Sequence, residues 1–253
     1  MKIGEFEISN RVGLGTNRLT NAPANVDLIR EAVAAGVQMI DTAHLYAGGQ
    51  SEETIGAALH PLPDTCIVAT KGGFGGAGRG RPEVLRAEIQ ESLRRLRTDV
   101  IHLYYLHRVD PETPIETSLG VIKEHVEEGT IRHVGVSEVG VEQIERARKV
   151  LPIVAVQNHY NLSERKHDGV IDYCEREGIV FVPFFPLRGE RSPAMARLGR
   201  RHRATSRQVM LAWLLKRSPV MLPIPGTLSL EHLKENLAAA RIDLDDEEFA
   251  SLA

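Results

Sequence analysis

The sequence of 253 residues predicts an α/β fold, a (β/α)8 TIM barrel with a short N-terminal β-hairpin. Short apolar runs alternate with amphipathic helical stretches about every 30 residues, a pattern typical of parallel strands joined by helical crossovers. Eight such units fit the length and close into a barrel without free sheet edges. No Gly-x-Gly-x-x-Gly sequence follows the first strand, which disfavours an open doubly wound sheet. We therefore expect one domain over residues 1–253.

The elements follow in order after the hairpin segment KIGEFEIS. Strands are predicted at Val12–Gly15, Gln38–Asp41, Cys66–Lys71, Val100–Leu106, Arg132–Ser137, Ile153–Gln157, Ile179–Phe184 and Val220–Leu222. Amphipathic helices are predicted between them, among others at Pro82–Arg95, Ile115–Glu128, Val141–Lys149 and Ser206–Lys216. In the first of these helices apolar residues recur close to a 3.6-residue period. Pro82 suits its first turn, where a missing N–H costs nothing.

Composition and charge exclude several classes of protein. The hydrophobic fraction of 42% and charged fraction of 26% are ordinary for a globular enzyme. A net charge of −3 gives no reason to expect a nucleic-acid or anionic-membrane partner. We see neither a stretch as long as a membrane span nor a signal peptide. The two cysteines, Cys66 and Cys174, are too few for a disulfide scaffold. We expect a cytoplasmic monomer with a small-molecule substrate.

Four polar residues follow or close three neighbouring predicted strands. Asp41 and Lys71 close the second and third strands, His107 follows the fourth, and Tyr46 lies five residues beyond Asp41. The carboxyl ends of parallel strands meet at the edge of a barrel where catalytic groups gather. We therefore expect a carboxylate, an ammonium, an imidazole and a phenol in one site.

This set of groups predicts proton delivery to a carbonyl oxygen. A phenol with a pKa of about 10 is a poor acid at neutral pH, but a neighbouring ammonium lowers that pKa. Lys71 can supply the ammonium, and Asp41 can hold and neutralise it. His107 adds an N–H donor that polarises the carbonyl as negative charge develops on its oxygen. Such a site suits reduction of an aldehyde or ketone, in which the oxygen must receive a proton.

Each of the four residues also has a purely structural interpretation. Asp41 can cap the next turn, Lys71 can be solvated at a strand end, Tyr46 can lie on the rim, and His107 can be a core histidine. The joint occurrence of four compatible groups at neighbouring strand ends favours the catalytic interpretation.

A metal site is the competing use of the histidines. His44, His102 and His107 are the candidate ligands. His102 and His107 are five positions apart, an odd spacing that places them on opposite faces of a strand. We therefore predict no metal site.

A glycine-rich segment, KGGFGGAGRGRP, follows the third strand. It is predicted to be a mobile loop at the mouth of the barrel. Its arginines, Arg79 and Arg81, are expected to be solvated rather than to bind an anionic ligand.

Eight stretches of the chain, taken in order, identify a resemblance. They are GLGTNRLT, DTAHLYAGGQSEETIG, VATKGG, LHRVDP, GTIRHVGVSE, VQNHYNL, PFFPLRG and IPGTLSLEHLKENL. Over essentially its whole length the chain resembles the aldo-keto reductase superfamily, and within it bacterial oxidoreductases that include pyridoxal-reductase-like members. The resemblance implies a TIM-barrel oxidoreductase that binds a nicotinamide cofactor without a Rossmann domain. It implies that Tyr46 is the proton donor, that Lys71 and Asp41 tune it, and that His107 orients the carbonyl.

The resemblance also implies a set of cofactor-binding residues. They are Gly15, Thr16, Asp41, Ser137, Gln157, Phe184, Leu187, Gly189, Gly226, Thr227, Ser229, His232, Glu235 and Asn236. Within this set Ser137 and Gln157 match the residues that hydrogen-bond the nicotinamide carboxamide, and Phe184 matches the aromatic residue that stacks on its ring. The family usually has Asn where this chain has Glu138. A carboxylate cannot donate to the carboxamide oxygen.

The segment after the eighth strand bears on the choice between NADPH and NADH. Gly226, Thr227 and Ser229 open a helix whose N-terminal N–H groups can receive a phosphate; a simple helix start capped by Thr227 is compatible with this. Many relatives have an arginine at the position of His232 that holds the 2′-phosphate. A histidine is largely neutral at pH 7 and cannot form that bidentate pair. We expect NADPH as the cofactor, with weakened discrimination against NADH.

Three other functions stay open from the sequence. The same residues would serve an NAD-linked alcohol dehydrogenase running in the opposite direction. A cofactor-binding sensor or regulatory subunit with little turnover is the second alternative, and the intact set of four residues disfavours it. A metal-dependent TIM-barrel hydrolase is the third, and it lacks a convincing ligand set. Many relatives continue beyond the position of Ala253 into a loop that covers the pocket. The resemblance therefore further implies either an open pocket mouth with broad acceptance of aldehydes or a pocket completed by another subunit.

Overall fold

The fold is described from a computed structural model, for residues 1–189 and 192–252. The strands are β1 (Lys2–Ile3), β2 (Phe6–Glu7), β3 (Leu14–Gly15), β4 (Met39–Asp41), β5 (Ile67–Gly72), β6 (Ile101–Leu106), β7 (Ile131–Ser137), β8 (Ala155–Gln157) and β9 (Val180–Phe181). The α-helices are α1 (Pro23–Ala34), α2 (Gln50–Leu59), α3 (Pro82–Leu96), α4 (Ile115–Glu127), α5 (Val141–Arg148), α6 (Asp168–Glu177), α7 (Pro193–Arg201), α8 (Ser206–Arg217), α9 (Leu230–Ala238) and α10 (Asp246–Ala250). Short 3-10 helices lie at Tyr46–Gly49 and Ala239–Arg241.

The strands form an N-terminal hairpin and a curled parallel sheet. Strands β1 and β2 pair antiparallel, while β3 to β9 run parallel in sequence order in a seven-stranded sheet. Single bridges join Met221 to Phe181 of β9 and Gly226 to Gly15 of β3. The segment between Met221 and Gly226 thus connects the two edges of the sheet. The predicted β/α barrel with its hairpin is confirmed.

The eighth strand position is irregular, unlike the strand predicted at Val220–Leu222. Two prolines, Pro223 and Pro225, lie in this segment, and a proline has no N–H to donate to a ladder. The carbonyl oxygen of Pro223 still accepts a hydrogen bond from the N–H of Gly13 at 2.9 Å, and that of Pro225 accepts one from the N–H of Gly15 in β3 at 3.3 Å. This segment and β3 lie very close together: a Cβ on Gly15 would lie only 2.7 Å from the carbonyl oxygen of Ile224.

The other predicted boundaries differ from the structure by a few residues. The predicted helix Pro82–Arg95 ends one residue later, at Leu96. The predicted strand Ile179–Phe184 is reduced to β9, although Phe184 makes an isolated bridge with His159.

Two groups of buried apolar residues hold the barrel together. One lies between the sheet and the surrounding helices. The other fills the interior and includes Ile3 and Phe6 of the hairpin together with Leu103 and Tyr105 of β6. Phe6 also packs against His102, with ring centres 5.2 Å apart. His102 lies near the start of β6, so the hairpin closes the amino-terminal end of the barrel and leaves the carboxyl end for the site.

The glycine-rich loop after β5 is anchored, in contrast to the mobile loop predicted from its composition. The backbone N–H of Gly80 donates to the Asp110 carboxylate at 2.8 Å. Arg79 forms an ion pair with Glu88, a residue that is 6% exposed. The side chain of Arg81 stays 56% exposed, as expected for a solvated charge. Within residues 1–189 and 192–252, no helix has the length and apolar character needed to cross a membrane.

Candidate active site

The carboxyl ends of β4, β5 and β6 bring the four predicted catalytic residues together. Asp41 is the last residue of β4, Lys71 lies one residue before the end of β5, and His107 directly follows β6. Tyr46 begins the 3-10 helix after β4. The Lys71 Nζ donates to Asp41 Oδ2 at 2.7 Å and to the backbone oxygen of Thr42 at 2.6 Å, and lies 3.5 Å from the Tyr46 hydroxyl.

The Asp41–Lys71 ion pair is buried and its hydrogen bonds are satisfied. The two side chains are 2% and 0% exposed. The second carboxylate oxygen of Asp41 accepts a hydrogen bond from Gln157 Nε2 at 2.8 Å. The backbone oxygen of Asp41 accepts bonds from the N–H and hydroxyl of Thr16, at 3.0 and 2.8 Å. These contacts fix the carboxylate, and the carboxylate fixes the lysine.

The site keeps Lys71 charged and Tyr46 protonated. Burial lowers the pKa of Lys71, but the adjacent Asp41 and Tyr46 raise it more, so the pKa lies above its usual value. Burial raises the pKa of Tyr46 above its usual value, and Lys71 lowers it only in part. The net direction for Tyr46 is opposite to the lowering predicted from a neighbouring ammonium, because desolvation of the phenolate outweighs the attraction.

His107 is a neutral imidazole beside the tyrosine. Its ring centre lies 6.1 Å from that of Tyr46, with the rings nearly perpendicular. Burial, followed by the charges of Lys71 and Arg108, lowers the pKa of His107 to about 2. Its Nδ1 is buried without a hydrogen-bond partner among the described residues. Among residues 1–189 and 192–252, no group of three or more His, Cys, Asp or Glu side chains is placed to hold a metal ion.

A cavity of about 300 Å³ opens directly above these groups. Its walls include the predicted residues Gly15, Thr16, Asp41, Tyr46, His107, Gln157, Phe184 and Gly226. They also include residues that the sequence reasoning missed, namely Asn17, Leu45, Phe74, Arg108, Phe185 and Ile224. Leu45, Phe74 and Phe185 are large apolar side chains that remain 40–43% exposed at this mouth. Exposed apolar side chains around a concave polar centre are typical of a ligand site.

A second cavity continues from the first through Gly226, which lines both. Its walls include the predicted residues Leu187, Gly189, Thr227, Ser229, His232 and Asn236. Two arginines that were not predicted, Arg18 and Arg207, also lie there. Arg18 was detectable in the matched stretch GLGTNRLT, whereas no sequence signal marked Arg207. Glu235 does not line either cavity, and its backbone oxygen accepts a hydrogen bond from Gln208 at 2.9 Å.

Helix α9 begins at the second cavity. Ser229 is its N-cap, and the serine side chain accepts a hydrogen bond from the backbone N–H of His232 at 3.3 Å. The prediction of Thr227 as the cap was wrong. The Thr227 hydroxyl instead accepts from the N–H of Ser229 at 3.0 Å, which shapes the turn before the helix.

Glu138, which follows β7, turns its side chain away from the first cavity. Its backbone is left-handed, with φ of 54°. Its carboxylate accepts a hydrogen bond from the N–H of His159 at 2.6 Å and lies 3.5 Å from the ammonium of Lys166. Burial raises the pKa of Glu138, but hydrogen bonds from His167 and from the His159 N–H lower it to about 2.

Arg108, rather than Glu138, lies beside Ser137 at the first cavity. Its Nη1 donates to the backbone oxygen of His107 at 2.6 Å and to Ser137 Oγ at 3.0 Å. Its guanidinium carbon lies 5.3 Å from the ring centre of Phe74 and 5.6 Å from that of Phe184. The predicted residue Ser137 thus lies behind Arg108. Arg108 was detectable in the matched stretch LHRVDP, directly after His107.

A barrel that carries a buried lysine–carboxylate pair beside a tyrosine and a histidine defines a class of oxidoreductases. A family model described as "Aldo/keto reductase family" matches residues 11–193 and 190–253. The chain belongs to this family and is an NAD(P)H-dependent oxidoreductase.

Similar proteins agree with this assignment. An uncharacterized oxidoreductase of Schizosaccharomyces pombe is 40% identical over 100% of this chain and 88% of its own length. Pyridoxine 4-dehydrogenase of Escherichia coli is 37% identical over 96% of this chain and 93% of its own. The thermostable aldo-keto reductase Tm1743, solved with the inhibitor epalrestat, has a TM-score of 0.91 at 32% identity, covering 100% of this chain and 97% of that one. An aldo-keto reductase of Klebsiella pneumoniae in complex with NADPH has a TM-score of 0.87 at 27% identity, covering 96% and 89%.

Proposed function

We propose that this protein reduces aldehydes and ketones to alcohols with NADPH, and that Tyr46 is the proton donor. The observation that carries the proposal is the contact of Lys71 with both Asp41 and Tyr46 at the floor of a cavity that also holds His107. A buried cation held against a phenol at an open site is the arrangement that general acid catalysis at a carbonyl requires.

The proposed reaction assigns one task to each residue. When bound, the nicotinamide cofactor supplies a hydride to the carbonyl carbon. Tyr46 donates its proton to the carbonyl oxygen, and Lys71 stabilises the phenolate that remains. Asp41 holds Lys71 in position, and His107 in its neutral form donates an N–H to the same oxygen.

Removing the Tyr46 hydroxyl tests this assignment. Tyr46→Phe is expected to lower turnover by about 10²- to 10⁴-fold, the usual contribution of a positioned general acid, while NADPH affinity stays within about twofold. Tyr173→Phe, a matched change on α6 where the hydroxyl contacts Arg148, is expected to keep full turnover. Undiminished turnover in Tyr46→Phe would rule out Tyr46 as the donor. Absence of turnover in the unaltered protein, with cofactor bound, would favour a sensor.

The two connected cavities support NADPH as the cofactor. Gln157 and Phe184, which are expected to contact the nicotinamide, line the first cavity, while Ser137 lies behind Arg108. Thr227, Ser229 and His232, which are expected near the phosphates, line the second cavity. Arg18 and Arg207 place two guanidinium groups in the second cavity, and a guanidinium forms strong hydrogen bonds with phosphate. They supply the positive charge that His232 lacks. The Klebsiella pneumoniae reductase, solved with NADPH, agrees with this choice.

Titration with the two cofactors tests this preference. We expect NADPH to bind more tightly than NADH. Arg207→Gln is expected to reduce the ratio of the two affinities by about tenfold, a typical value for one charged hydrogen bond, because only NADPH carries the 2′-phosphate. Arg94→Gln, on the outer helix α3, serves as the control. Equal affinities in the unaltered protein would instead favour an NAD-linked alcohol dehydrogenase.

Pyridoxal is the first aldehyde to test. Pyridoxine 4-dehydrogenase of Escherichia coli is similar to this chain over nearly its full length, and pyridoxal is the aldehyde formed by oxidising pyridoxine at that position. The aromatic side chains of Phe74, Phe184 and Phe185 around the first cavity suit a flat aromatic ring. We further propose that the protein is a single domain and a monomer. A cytoplasmic location is in keeping with its two buried free cysteines.

A further inference from the structure

A nicotinamide carboxamide needs both a donor and an acceptor from the protein. Its oxygen accepts hydrogen bonds and its NH2 group donates two, and leaving any of these unpaired in a buried site weakens binding. Gln157 can offer its Oε1 to the NH2 group and one N–H to the oxygen, because Asp41 uses only one of its two Nε2 hydrogens, at 2.8 Å. The carboxamide oxygen has two lone pairs, so it can accept a second hydrogen bond from another donor.

The side chains of Glu138 and Asn158 do not supply this second donor. Glu138 is an acceptor and is already committed to the N–H of His159 at 2.6 Å. Asn158 accepts from the backbone N–H of Val139 at 3.1 Å and donates to its backbone oxygen at 2.8 Å, and its Nδ2 also lies 3.1 Å from His167 Nδ1. Its amide therefore cannot replace the asparagine that relatives have at position 138.

Arg108 can supply the second donor. Its guanidinium bonds Ser137 Oγ at 3.0 Å and lies 5.6 Å from the centre of the Phe184 ring, the two side chains expected to hold the nicotinamide. It lines the first cavity. An arginine has five N–H donors, and its hydrogen bonds with the described residues use only Nη1. No carboxylate of those residues lies within 4.0 Å of it, so its charge is not already neutralised by an ion pair.

We propose that Arg108 donates to the carboxamide oxygen of the nicotinamide and thereby positions the cofactor ring over the catalytic residues. The inference rests on the proposed NADPH site. It explains how this chain functions with Glu138 in place of an amide. Because Nη1 also bonds the backbone oxygen of His107 at 2.6 Å, one side chain sets the cofactor ring relative to the residue that orients the carbonyl.

The test compares NADPH with its thionicotinamide analogue, in which sulfur replaces the carboxamide oxygen and accepts hydrogen bonds poorly. Dissociation constants are measured by cofactor fluorescence or calorimetry for the unaltered protein, Arg108→Leu and Arg108→Lys. We expect Arg108→Leu to weaken NADPH binding by about 10- to 100-fold, the range for a hydrogen bond to a charged group, and to weaken analogue binding much less. Arg108→Lys keeps a cationic donor and is expected to recover part of the loss.

Arg188→Leu provides the matched control. Arg188 lies over Phe185, with its guanidinium carbon 4.6 Å from the ring centre at the same mouth, and its loss is expected to leave the ratio of the two affinities unchanged. Thermal unfolding checks that each variant is folded.

Two results would overturn the inference. The first is an unchanged affinity ratio in folded Arg108→Leu. If that variant also raises the KM for 4-carboxybenzaldehyde but not for benzaldehyde, Arg108 binds an anionic substrate group instead. The second is failure of the unaltered protein to bind NADPH, which would overturn the proposed function itself and is seen before any variant is made.

Discussion

Replacing Lys71 by methionine is expected to destabilise the fold as well as to stop catalysis. The change leaves the Asp41 carboxylate, 2% exposed, with Gln157 as its remaining side-chain partner at 2.8 Å. Removing one member of a buried ion pair leaves an uncompensated charge in a medium of low dielectric constant.

The expected loss is large for a single substitution. Breaking a buried pair typically lowers the free energy of unfolding by about 3–5 kcal/mol. For a domain of this size each kcal/mol shifts Tm by about 2–4 °C, which gives a shift of roughly 6–20 °C. Lys123→Met is the matched control, because Lys123 pairs with Glu127 at 3.8 Å on the exposed face of α4, with side chains 48% and 66% exposed. Its effect is expected to be no more than about 0.5 kcal/mol.

The double variant Lys71→Met/Asp41→Asn separates stability from catalysis. With both charges removed, most of the lost free energy of unfolding is expected to return, since replacing a whole buried pair is often close to neutral. Turnover is not expected to return, because no cation remains beside Tyr46. Urea denaturation gives the free energies at constant m value, and steady-state kinetics gives the turnover. The single variant Asp41→Asn completes the comparison. If the loss of stability in the double variant equals the sum of the losses in Lys71→Met and Asp41→Asn, the reasoning is refuted, and recovery of turnover in the double variant would also refute it.

Three further predictions follow from burial and packing. Because burial raises the pKa of Tyr46, the rate of carbonyl reduction should stay level across neutral pH and fall only above about pH 10, the usual pKa of tyrosine; a pH profile with an earlier fall would contradict this. Burial raises the pKa of Cys66 and of Cys174 to about 12 each, so a thiol reagent at pH 8 should modify neither in the native protein and both after denaturation. Gly15→Ala places a Cβ 2.7 Å from the Ile224 oxygen and should lower the free energy of unfolding by about 1–3 kcal/mol; an unchanged urea midpoint would contradict the role of this approach in closing the barrel.

The barrel and the grouping of the four candidate residues at its carboxyl end could be predicted because both depend on short sequence patterns. An apolar run ending in a polar residue fixes a buried strand and the position of that residue at its carboxyl end. The structure agrees with the predicted positions of Asp41 and Lys71, because Lys71 Nζ lies 2.7 Å from Asp41 Oδ2. The prediction of the eighth strand rested on the apolar run Val220–Leu222 alone. The two prolines that follow this run limit the pairing of the segment to single bridges, so no regular strand forms.

Other parts of the site depend on contacts between distant segments. Arg207 reaches the second cavity from α8, a different element from the one that carries Thr227 and Ser229. The sequence of α8 contains no distinctive motif that marks Arg207. The turn of Glu138 away from the cavity depends on the N–H of His159, 21 residues later. A pattern read along one chain contains no information on such pairings.

The electrostatic prediction for Tyr46 had the correct partner and the wrong net direction, and the reason bears on the proposed chemistry. Burial excludes the water that would otherwise solvate a phenolate, so the ground state keeps its proton. The same exclusion strengthens the attraction of Lys71 for the negative charge that develops as the proton leaves. Lys71 therefore need not make Tyr46 acidic in the resting protein. In the proposed mechanism Lys71 acts when a carbonyl oxygen takes the proton, and the ion pair with Asp41 holds Lys71 in place until then.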